Sequence, residues 1–512
     1  MSRATLLASL LALTARSAHA APALFSVAIG YNGTPADRHA SGVGELSFAD
    51  DDALAVHELA RTFARRSVVL TLPDRATQAR YPSSHEARPP SVAELRRVLA
   101  EVGADVVAAT RAGDEVSVWF FYSGHGWLND EGRASLTLAD GALSQEMLYE
   151  EVLPALPGRT VHLMIDACHA EALIRPRDVT AETVEVSASE VASASLRRRL
   201  AQLPNVGAIM ASASNTQAHE WDDYQTGVFT HELLSGLRGG ADVNGDGRVE
   251  YSEIAAFLAA ANRQVTDPRA RLTTLVVAPR LYPRVGILDT RPARATAHLQ
   301  GRAHHLGRFQ IDDQRGNRLL DLRAESGFVV DLLVPAGEPV LVSNETGEAH
   351  ILPSADRPTN LEEVVLESGY SRQRGAAAES MRRGLFAAEF GPSYYRGFVD
   401  NSDSQVVPVE LLPAGVRIAP NPPSRTGQRY AAWLAFGVGG AFLVTSGVFA
   451  ILAAQAHADF DNTTLERASI AARDRYERYG GVALGAAAAG VVSAALGYWL
   501  WTRDTAGRAD RP

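Results

Sequence analysis

The chain has 512 residues, more than one hydrophobic core usually supports, so we expect at least two domains. Its net charge of −10 and pI near 5.8, with scattered arginines, argue against nucleic acid as a partner. A single cysteine cannot form a disulfide within the chain. The fold is therefore expected to depend on its core rather than on cross-links.

The N-terminus has the pattern of a secretory signal peptide. Arg3 precedes a short apolar run, and residues 18–20, Ala-His-Ala, have the small side chains that favour cleavage. The apolar run is too short to span a bilayer. The sequence predicts a signal peptide over residues 1–20, cleavage after Ala20 and an exported mature chain.

Predicted strands and helices alternate over residues 21–290. The strands are continuous apolar runs, which is typical of strands buried on both faces of a parallel sheet. The predicted strands are residues 24–30, 67–72, 116–121, 161–165 and 206–211. The predicted helices are residues 51–64, 91–110, 143–153, 228–237 and 251–265. The alternation predicts an α/β domain of three layers with a mostly parallel sheet covered on both faces.

Two polar motifs follow neighbouring predicted strands, Phe-Tyr-Ser-Gly-His-Gly ending at Gly126 and Met-Ile-Asp-Ala-Cys-His around Cys168. In parallel sheets chemistry lies at the carboxyl ends of the strands. An imidazole favours the thiolate form of a nearby cysteine and later protonates the leaving amine. We therefore predict Cys168 as nucleophile and His125 as acid and base, with the N–H groups of Gly126 and Cys168 holding the oxyanion.

At these motifs the chain resembles the caspase-like cysteine proteases, the clan of caspases and metacaspases. Residues 46–53 also resemble the acidic start of the family's first helix, and residues 227–234 the helix after its fifth strand. The resemblance covers about residues 24–285 and implies a cysteine endopeptidase, here a bacterial and membrane-anchored one. The chain departs from the metacaspase motif Cys-His-Ser-Gly after residue 169. It also has Asp166 where the caspase pentapeptide has Gln.

Asp166 is the predicted specificity residue. In the family, the residue two before the cysteine lines the pocket for the side chain that precedes the cut. A carboxylate there would bind Arg or Lys by a charge-assisted contact and repel Asp, so we expect cleavage after basic residues. Asp52 is a candidate second wall, against the alternative of a solvated charge at a helix start. Glu220, Asp222 and Asp223 follow the fifth strand and are further candidates for the cleft.

Residues 174–203 lose apolar periodicity and are predicted to be an exposed linker. If basic residues are preferred, Arg175, Arg177 and residues 197–199 are candidate self-cleavage sites. A solvated charge cluster is the alternative.

Residues 242–253 fit the EF-hand calcium loop, with oxygen ligands at the required positions and Gly at the sixth. The candidate calcium ligands are Asp242, Asn244, Asp246, the Arg248 carbonyl, Glu250 and Glu253. A structural turn before a helix is the alternative reading. The peptidase chemistry itself is expected to need no cofactor, so calcium would be an activating or structural ion.

Short strands separated by turns at residues 315–317 and 335–337 predict a β-rich accessory domain over residues 291–412. Residues 413–429, rich in Pro and Gly, are a predicted linker. The predicted fold class of the whole chain is a caspase-like α/β domain, followed by a β-rich domain and a C-terminal transmembrane hairpin.

The predicted hairpin consists of residues 430–454 and 479–501, two uncharged apolar runs, each long enough to cross about 30 Å of hydrocarbon. Residues 455–478 form the connecting loop and residues 502–512 the tail. The hairpin would anchor the exported chain with its catalytic domain outside the cytoplasm. Buried helices of a soluble domain are the alternative.

The sequence thus predicts a membrane-tethered cysteine endopeptidase with a protein or peptide substrate. Two alternatives stay open. One is a caspase-like fold used as a non-catalytic interaction or signalling module at the membrane. The other is a β-rich binding protein whose protease serves only maturation. The trio of His125, Cys168 and Asp166 favours the enzyme, since a scaffold has no physical need for these residues.

Overall fold

A computed structural model describes residues 22–34, 44–128, 133–168, 170, 173, 200, 202–212, 220–221, 224–265, 272–291, 293, 295–368, 384–401, 407–411 and 455. The chain divides into two compact units, Met1–Pro420 and Asn421–Pro512. The first unit contains both the predicted α/β segment and the predicted β-rich segment.

Several predicted features lie outside the described residues. These are the signal peptide, the candidate self-cleavage sites, Asp222 and Asp223, the Pro- and Gly-rich linker and both apolar runs of the predicted transmembrane hairpin. Among the described helices, none is long and apolar enough to cross a membrane.

The strands are, in chain order, β1 (Ala23–Tyr31), β2 (Arg66–Leu70), β3 (Val116–Gly124), β4 (Gly126–Leu128), β5 (Ala134–Leu138), β6 (Gly141–Ser144), β7 (Thr160–Asp166), β8 (Val206–Ser212), β9 (Glu220–Trp221), β10 (Thr226–Gly227), β11 (Arg248–Glu250), β12 (Thr273–Val277), β13 (Gly286–Asp289), β14 (Thr296–Arg302), β15 (Arg308–Asp313), β16 (Arg318–Arg323), β17 (Val329–Pro335), β18 (Val340–Ser343), β19 (Gly347–Ile351), β20 (Thr359–Asn360) and β21 (Glu367–Ser368).

The longer helices are α1 (Ala49–Arg61), α2 (Arg75–Arg80), α3 (Val92–Arg111), α4 (Val228–Ser235), α5 (Tyr251–Asn262) and α6 (Pro392–Asn401). Short helical turns occupy Pro82–Glu86, Gln145–Met147, Leu148–Val152, Leu153–Ala155, Gly236–Gly240, His304–Leu306 and Leu361–Glu363. Ser91 caps α3, where its side-chain oxygen accepts a hydrogen bond from the Glu94 N–H at 3.1 Å.

The central sheet has six strands in the order β12-β8-β7-β3-β1-β2. The five strands predicted from apolar runs are parallel to one another, and all nine residues of β3 are buried. The sixth strand, β12, pairs antiparallel with β8 and was not predicted from the sequence. The α/β prediction with a mostly parallel sheet is confirmed, with one antiparallel edge added.

Helices cover both faces of this sheet, and the alternation along β3 shows how. Trp119 and Phe121 belong to one hydrophobic core, while Val118, Phe120 and Tyr122 belong to the other. The second core packs under α3 and the short helices that follow Ser144. The first core packs under α1, α4 and α5. Successive strand residues point to opposite faces, so one strand supports both layers.

The β-rich segment forms two further sheets, with strand orders β16-β15-β18-β19-β21 and β17-β14-β20. The predicted turns are present, and each has glycine at positive φ, 82° at Gly316 and 74° at Gly337. Phe309 and Leu322 of these sheets lie in the same hydrophobic core as Trp119. The β-rich segment therefore shares its interior with one face of the α/β segment.

Candidate active site

The register of β3 and β7 brings the two predicted motifs together. Ser123 lies opposite Asp166 in this parallel pair, and each motif continues two residues beyond that point to His125 and Cys168. Neighbouring strands are about 4.8 Å apart, so both residues emerge at the same sheet edge. Cys168 is buried, with 9% of its surface exposed.

Gly126 shows how close the two motifs are. A Cβ atom added at this residue would lie 2.0 Å from the carbonyl oxygen of Cys168. Only glycine allows this approach of the two backbones. The close packing of the two backbones explains the glycine at this position, and the predicted role of its N–H in the oxyanion hole stays a prediction.

The preceding glycine, Gly124, has φ of 152°. A Cβ atom there would also lie 2.5 Å from the hydroxyl oxygen of Tyr122. The carbonyl of His125 accepts a hydrogen bond from the Thr137 N–H at 2.9 Å, which holds the turn in place. The Gly-His-Gly sequence thus meets local steric requirements on both sides of the histidine.

The His125 ring is oriented by the backbone of the chain before α1. Its Nε2 lies 3.0 Å from the carbonyl oxygen of Gly44. A carbonyl oxygen only accepts hydrogen bonds, so Nε2 carries the proton and, in the neutral ring, Nδ1 has the free lone pair. Burial lowers the pKa of His125 below its usual value, although the bond to Gly44 acts in the opposite direction. The ring is therefore neutral at neutral pH, with Nδ1 as its basic atom.

Asp166 lies at the end of β7, where it is partly exposed. Its Oδ2 accepts two hydrogen bonds from Thr230, from the hydroxyl at 2.7 Å and from the N–H at 3.2 Å. Burial raises the pKa of Asp166 to about 6; the Thr230 bonds lower it and the charge of Glu220 raises it. This carboxyl therefore changes its charge close to neutral pH.

Asp52, the second candidate pocket residue, is only 2% exposed. Its Oδ2 accepts from the Ser123 hydroxyl at 2.6 Å, and its Oδ1 accepts from the Gly227 N–H at 2.8 Å and from the Thr226 hydroxyl. The alternative of a solvated helix charge is therefore wrong. Burial, and then the nearby charge of Asp166, raise the pKa of Asp52 well above its usual value.

Gly227 lies between these two acids. A Cβ atom added there would be 2.5 Å from Oδ2 of Asp166 and 2.8 Å from Oδ2 of Asp52. The two carboxyl groups thus face one another across a glycine. They form an acidic pair beside the Cys168 motif, with Asp166 as the more exposed member.

Glu220, a candidate for the cleft, binds the start of α1. Its carboxylate accepts from the Ser47 N–H at 2.9 Å and from the Phe48 N–H at 2.7 Å. These N–H groups lack partners within the helix, and a negative charge there is favourable. Glu220 thus holds α1, which carries Asp52, and its own charge reaches Asp166.

Sequence reasoning missed the groups that orient the site residues, namely the Gly44 carbonyl, Ser123, Thr226 and Thr230. Ser123 and Thr230 do lie within motifs that the resemblance singled out. Nothing in the sequence indicates that their hydroxyl groups bind Asp52 and Asp166, because the partners are far apart along the chain.

The predicted calcium loop forms a turn before α5. Asp242 accepts hydrogen bonds from the N–H groups of Asp246 and Gly247, at 3.2 and 2.9 Å. Glu253 accepts from the N–H groups of Val243 and Glu250, at 3.1 and 2.8 Å.

Asn244 accepts from the Asp246 N–H at 3.0 Å, and the side chains of Arg248 and Asp246 form an ion pair at 3.1 Å. Within the part of the chain that the structure describes, no three His, Cys, Asp or Glu side chains are placed to hold a metal ion. The loop carboxylates accept hydrogen bonds from backbone N–H groups, which occupy part of their lone pairs. Calcium binding stays a prediction.

Residues 43–280 match the family model of the caspase domain, peptidase family C14. This segment is a caspase-like domain. The caspase domain contains Asp52, His125, Asp166 and Cys168, so the acidic pair and the His and Cys motifs belong to one family segment. The family is one of cysteine peptidases, whose substrates are proteins or peptides.

No curated protein matches the chain. Among solved structures, the crystal structure of protein GSU0716 from Geobacter sulfurreducens is similar at 18% identity, covering 50% of this chain and 92% of that one with a TM-score of 0.28.

Proposed function

We propose that the protein is a cysteine endopeptidase that uses Cys168 and His125 and cleaves after Arg or Lys. The observation that carries the proposal is the contact of the Gly126 backbone with the Cys168 carbonyl, beside the partly exposed carboxyl of Asp166. A nucleophile, a base and an anionic pocket residue then lie at one sheet edge, where a substrate can reach all three.

The proposed reaction begins with proton transfer from the Cys168 thiol to Nδ1 of His125. The thiolate attacks the substrate carbonyl carbon, and the N–H groups of Gly126 and Cys168 stabilise the oxyanion. The carbon–nitrogen bond breaks as His125 returns the proton to the leaving amine, which leaves a thioester on Cys168. Water then attacks this thioester, with His125 accepting its proton, and the acid product and thiol are released.

The preference for basic residues follows from charge. Asp166 is partly exposed, and its carboxylate would bind a guanidinium or ammonium group of the substrate by a charge-assisted contact. A substrate Asp at the same position would be repelled.

The test is cleavage by the full chain of reporter peptides that end in Arg, Lys or Asp, with Cys168→Ala as the control. We expect Cys168-dependent cleavage after Arg and Lys and none after Asp. Absence of Cys168-dependent cleavage of every reporter would support the alternative of a non-catalytic interaction module. Preference for Asp would contradict the role of Asp166.

We also propose that the protein is exported and anchored in a membrane. The support is the signal-like N-terminus and the two uncharged apolar runs at residues 430–454 and 479–501. The catalytic segment would then lie outside the cytoplasm. In a cell fractionation, resistance of the chain to alkaline extraction, with loss of resistance on deletion of residues 430–512, is the expected result.

A further inference from the structure

Helix α4 connects the acidic pair to the β-rich segment. All eight of its residues are buried, because it packs against α1, α5, β10 and β16. A helix buried on every side cannot shift without moving the groups that it contacts. One side of the helix binds the acidic pair, and the other side binds the β-rich segment.

The first turn of α4 holds the acidic pair. The Gly227 N–H at its start donates to Asp52, and Thr230 donates twice to Asp166 through its hydroxyl and its N–H. The position of the Asp166 carboxylate is thus set by where this turn lies.

The next residue, His231, binds the β-rich segment. Its Nε2 donates to Oδ2 of Asp321 in β16 at 2.9 Å, and both side chains are 1% exposed. One turn further along, the Ser235 hydroxyl donates to the His231 carbonyl at 2.8 Å and accepts from the Asp321 N–H at 3.1 Å. Asp321 therefore holds α4 at two successive turns.

Two arginines of the β-rich segment fix the charge of Asp321. Arg318 lies 3.1 Å from its Oδ2, and Arg308 lies 3.6 Å from its Oδ1. Burial alone would raise the pKa of Asp321, but the charge of Arg318, the hydrogen bond from His231 and the charge of Arg308 outweigh burial and hold the pKa well below its usual value. Asp321 thus stays an anion across the physiological range and keeps its hold on His231.

We propose that Asp321 is a positioning residue for the pocket: through His231 and α4 it places Thr230, and hence Asp166, so that the β-rich segment sets the preference for basic side chains. This inference rests on the proposed function. His231 and Thr230 are consecutive residues of one rigid helical turn, so a displacement at one is passed to the other.

The central variant is His231→Leu, which removes the link but leaves Asp321 compensated by its two arginines. The matched control is His298→Leu. His298 makes a similar pair with Asp331, at 2.8 Å, but this pair joins β14 to β17 and includes no residue of α4. Both variants exchange a histidine that is bonded to an aspartate for an apolar residue.

We expect His231→Leu to raise KM for the Arg-ended reporter about tenfold with little change in kcat, and to leave KM for a norleucine-ended reporter unchanged. The His298→Leu control should leave all three values unchanged. A purely structural role would instead lower the active fraction, and hence kcat, for both reporters alike. Unchanged KM for the Arg-ended reporter in His231→Leu would overturn the inference.

Thr230→Val supplies a second test, because it removes the hydroxyl bond to Asp166 directly. If His231 acts through Thr230, the double variant should have no higher KM than the worse single variant. Additive effects would contradict the proposed route. Fast alkylation of the buried Cys168 would show that His231→Leu fails to fold. In that case Asp321→Asn replaces it, with the same expected rise in KM.

Binding of an Arg-ended peptide to Cys168→Ala, measured by fluorescence anisotropy, separates this inference from the proposed function. If wild type cleaves nothing but Cys168→Ala binds the peptide and His231→Leu weakens binding about tenfold, the reaction is refuted and the inference stands. If wild type cleaves after Arg and His231→Leu binds and cleaves normally, the inference alone fails.

Discussion

Asp166 has a carboxyl group whose pKa, about 6, lies within the range in which enzymes are assayed. Below pH 6 the group is neutral and cannot attract a substrate cation. We therefore expect KM for an Arg-ended reporter to be about tenfold higher at pH 5 than at pH 7, since one pH unit below its pKa only about a tenth of the carboxyl is ionised.

The measurement is KM against pH, with a norleucine-ended reporter as the comparison. The neutral reporter should show no such step, and Asp166→Asn should remove the step for the Arg-ended reporter. The pKa of His125 is lowered by burial, so its neutral form prevails over the upper part of this range. A pH step of equal size in KM for both reporters would contradict the role of Asp166.

A second prediction concerns substitution of Gly126. In Gly126→Ala the new Cβ would meet the Cys168 carbonyl at 2.0 Å, so the nucleophile motif must shift. We expect kcat/KM to fall about 100-fold, as a displacement of about 1 Å near the chemistry commonly does. Gly44→Ala is the matched control, because a Cβ atom there meets nothing within 4 Å and the carbonyl that binds His125 is kept. Equal activity of both variants would show that the contact has no bearing on the site.

The loop before α5, residues 242–253, allows a prediction of the affinity for calcium. Val243, Asp246, Gly247 and Glu250 already donate N–H groups to loop carboxylates, which leaves fewer of their lone pairs for an ion. We expect calorimetry on the full chain to give a weak Kd, about 10⁻⁴ to 10⁻³ M, as in extracellular modules.

Asp242→Asn should abolish this binding. The control is Asp313→Asn, which alters a similar turn in which Asp313 accepts from the N–H groups of Arg315 and Asn317. Loss of calcium binding in the control as well as in Asp242→Asn would place the site outside the loop. Absence of binding to wild type would leave residues 242–253 as a structural turn.

The sequence predicts those elements that have a strong local signal. The five parallel strands were predicted because each is a continuous apolar run. β12 was missed although Thr273–Val277 is rich in β-branched residues, because this edge strand is short and partly exposed and is not a continuous apolar run. Antiparallel pairing with β8 depends on tertiary structure and leaves no local signal.

The same division holds in the candidate site. The sequence motifs single out His125, Cys168 and Asp166 as candidates, and their chemical roles stay a prediction. The sequence does not predict which groups hold them. The Gly44 carbonyl is a backbone atom that any residue would provide, and the bond between Asp52 and Gly227 joins residues 175 positions apart.

At the scale of the whole molecule, the two segments of the first unit share one core. Phe257 of α5 packs against Phe386 and Phe390, with ring centres 5.9 and 5.0 Å away. A chain that ends at residue 290 would expose this core, so we expect it to melt at a lower temperature than the full chain and to aggregate. Removal of one such phenylalanine typically costs about 3–5 kcal/mol.

Scanning fluorimetry and limited proteolysis of the two chains provide the measurement. Phe390→Ala in the full chain is the finer test, and it should destabilise the caspase segment although it lies outside it. A chain ending at residue 290 with the melting temperature of the full chain would show that the caspase segment is independently stable.

The bond from the Gly227 N–H to Asp52 also bears on biosynthesis. Its two ends are 175 residues apart, so ribosomes that add about 5–20 residues per second need roughly 10–35 s to make the second end after the first. During that interval His125 and Cys168 are synthesised, but the acidic pair beside them has no α4 to hold it. Under the proposed function, the nascent chain would therefore be unable to bind a basic side chain until most of its catalytic segment has been translated.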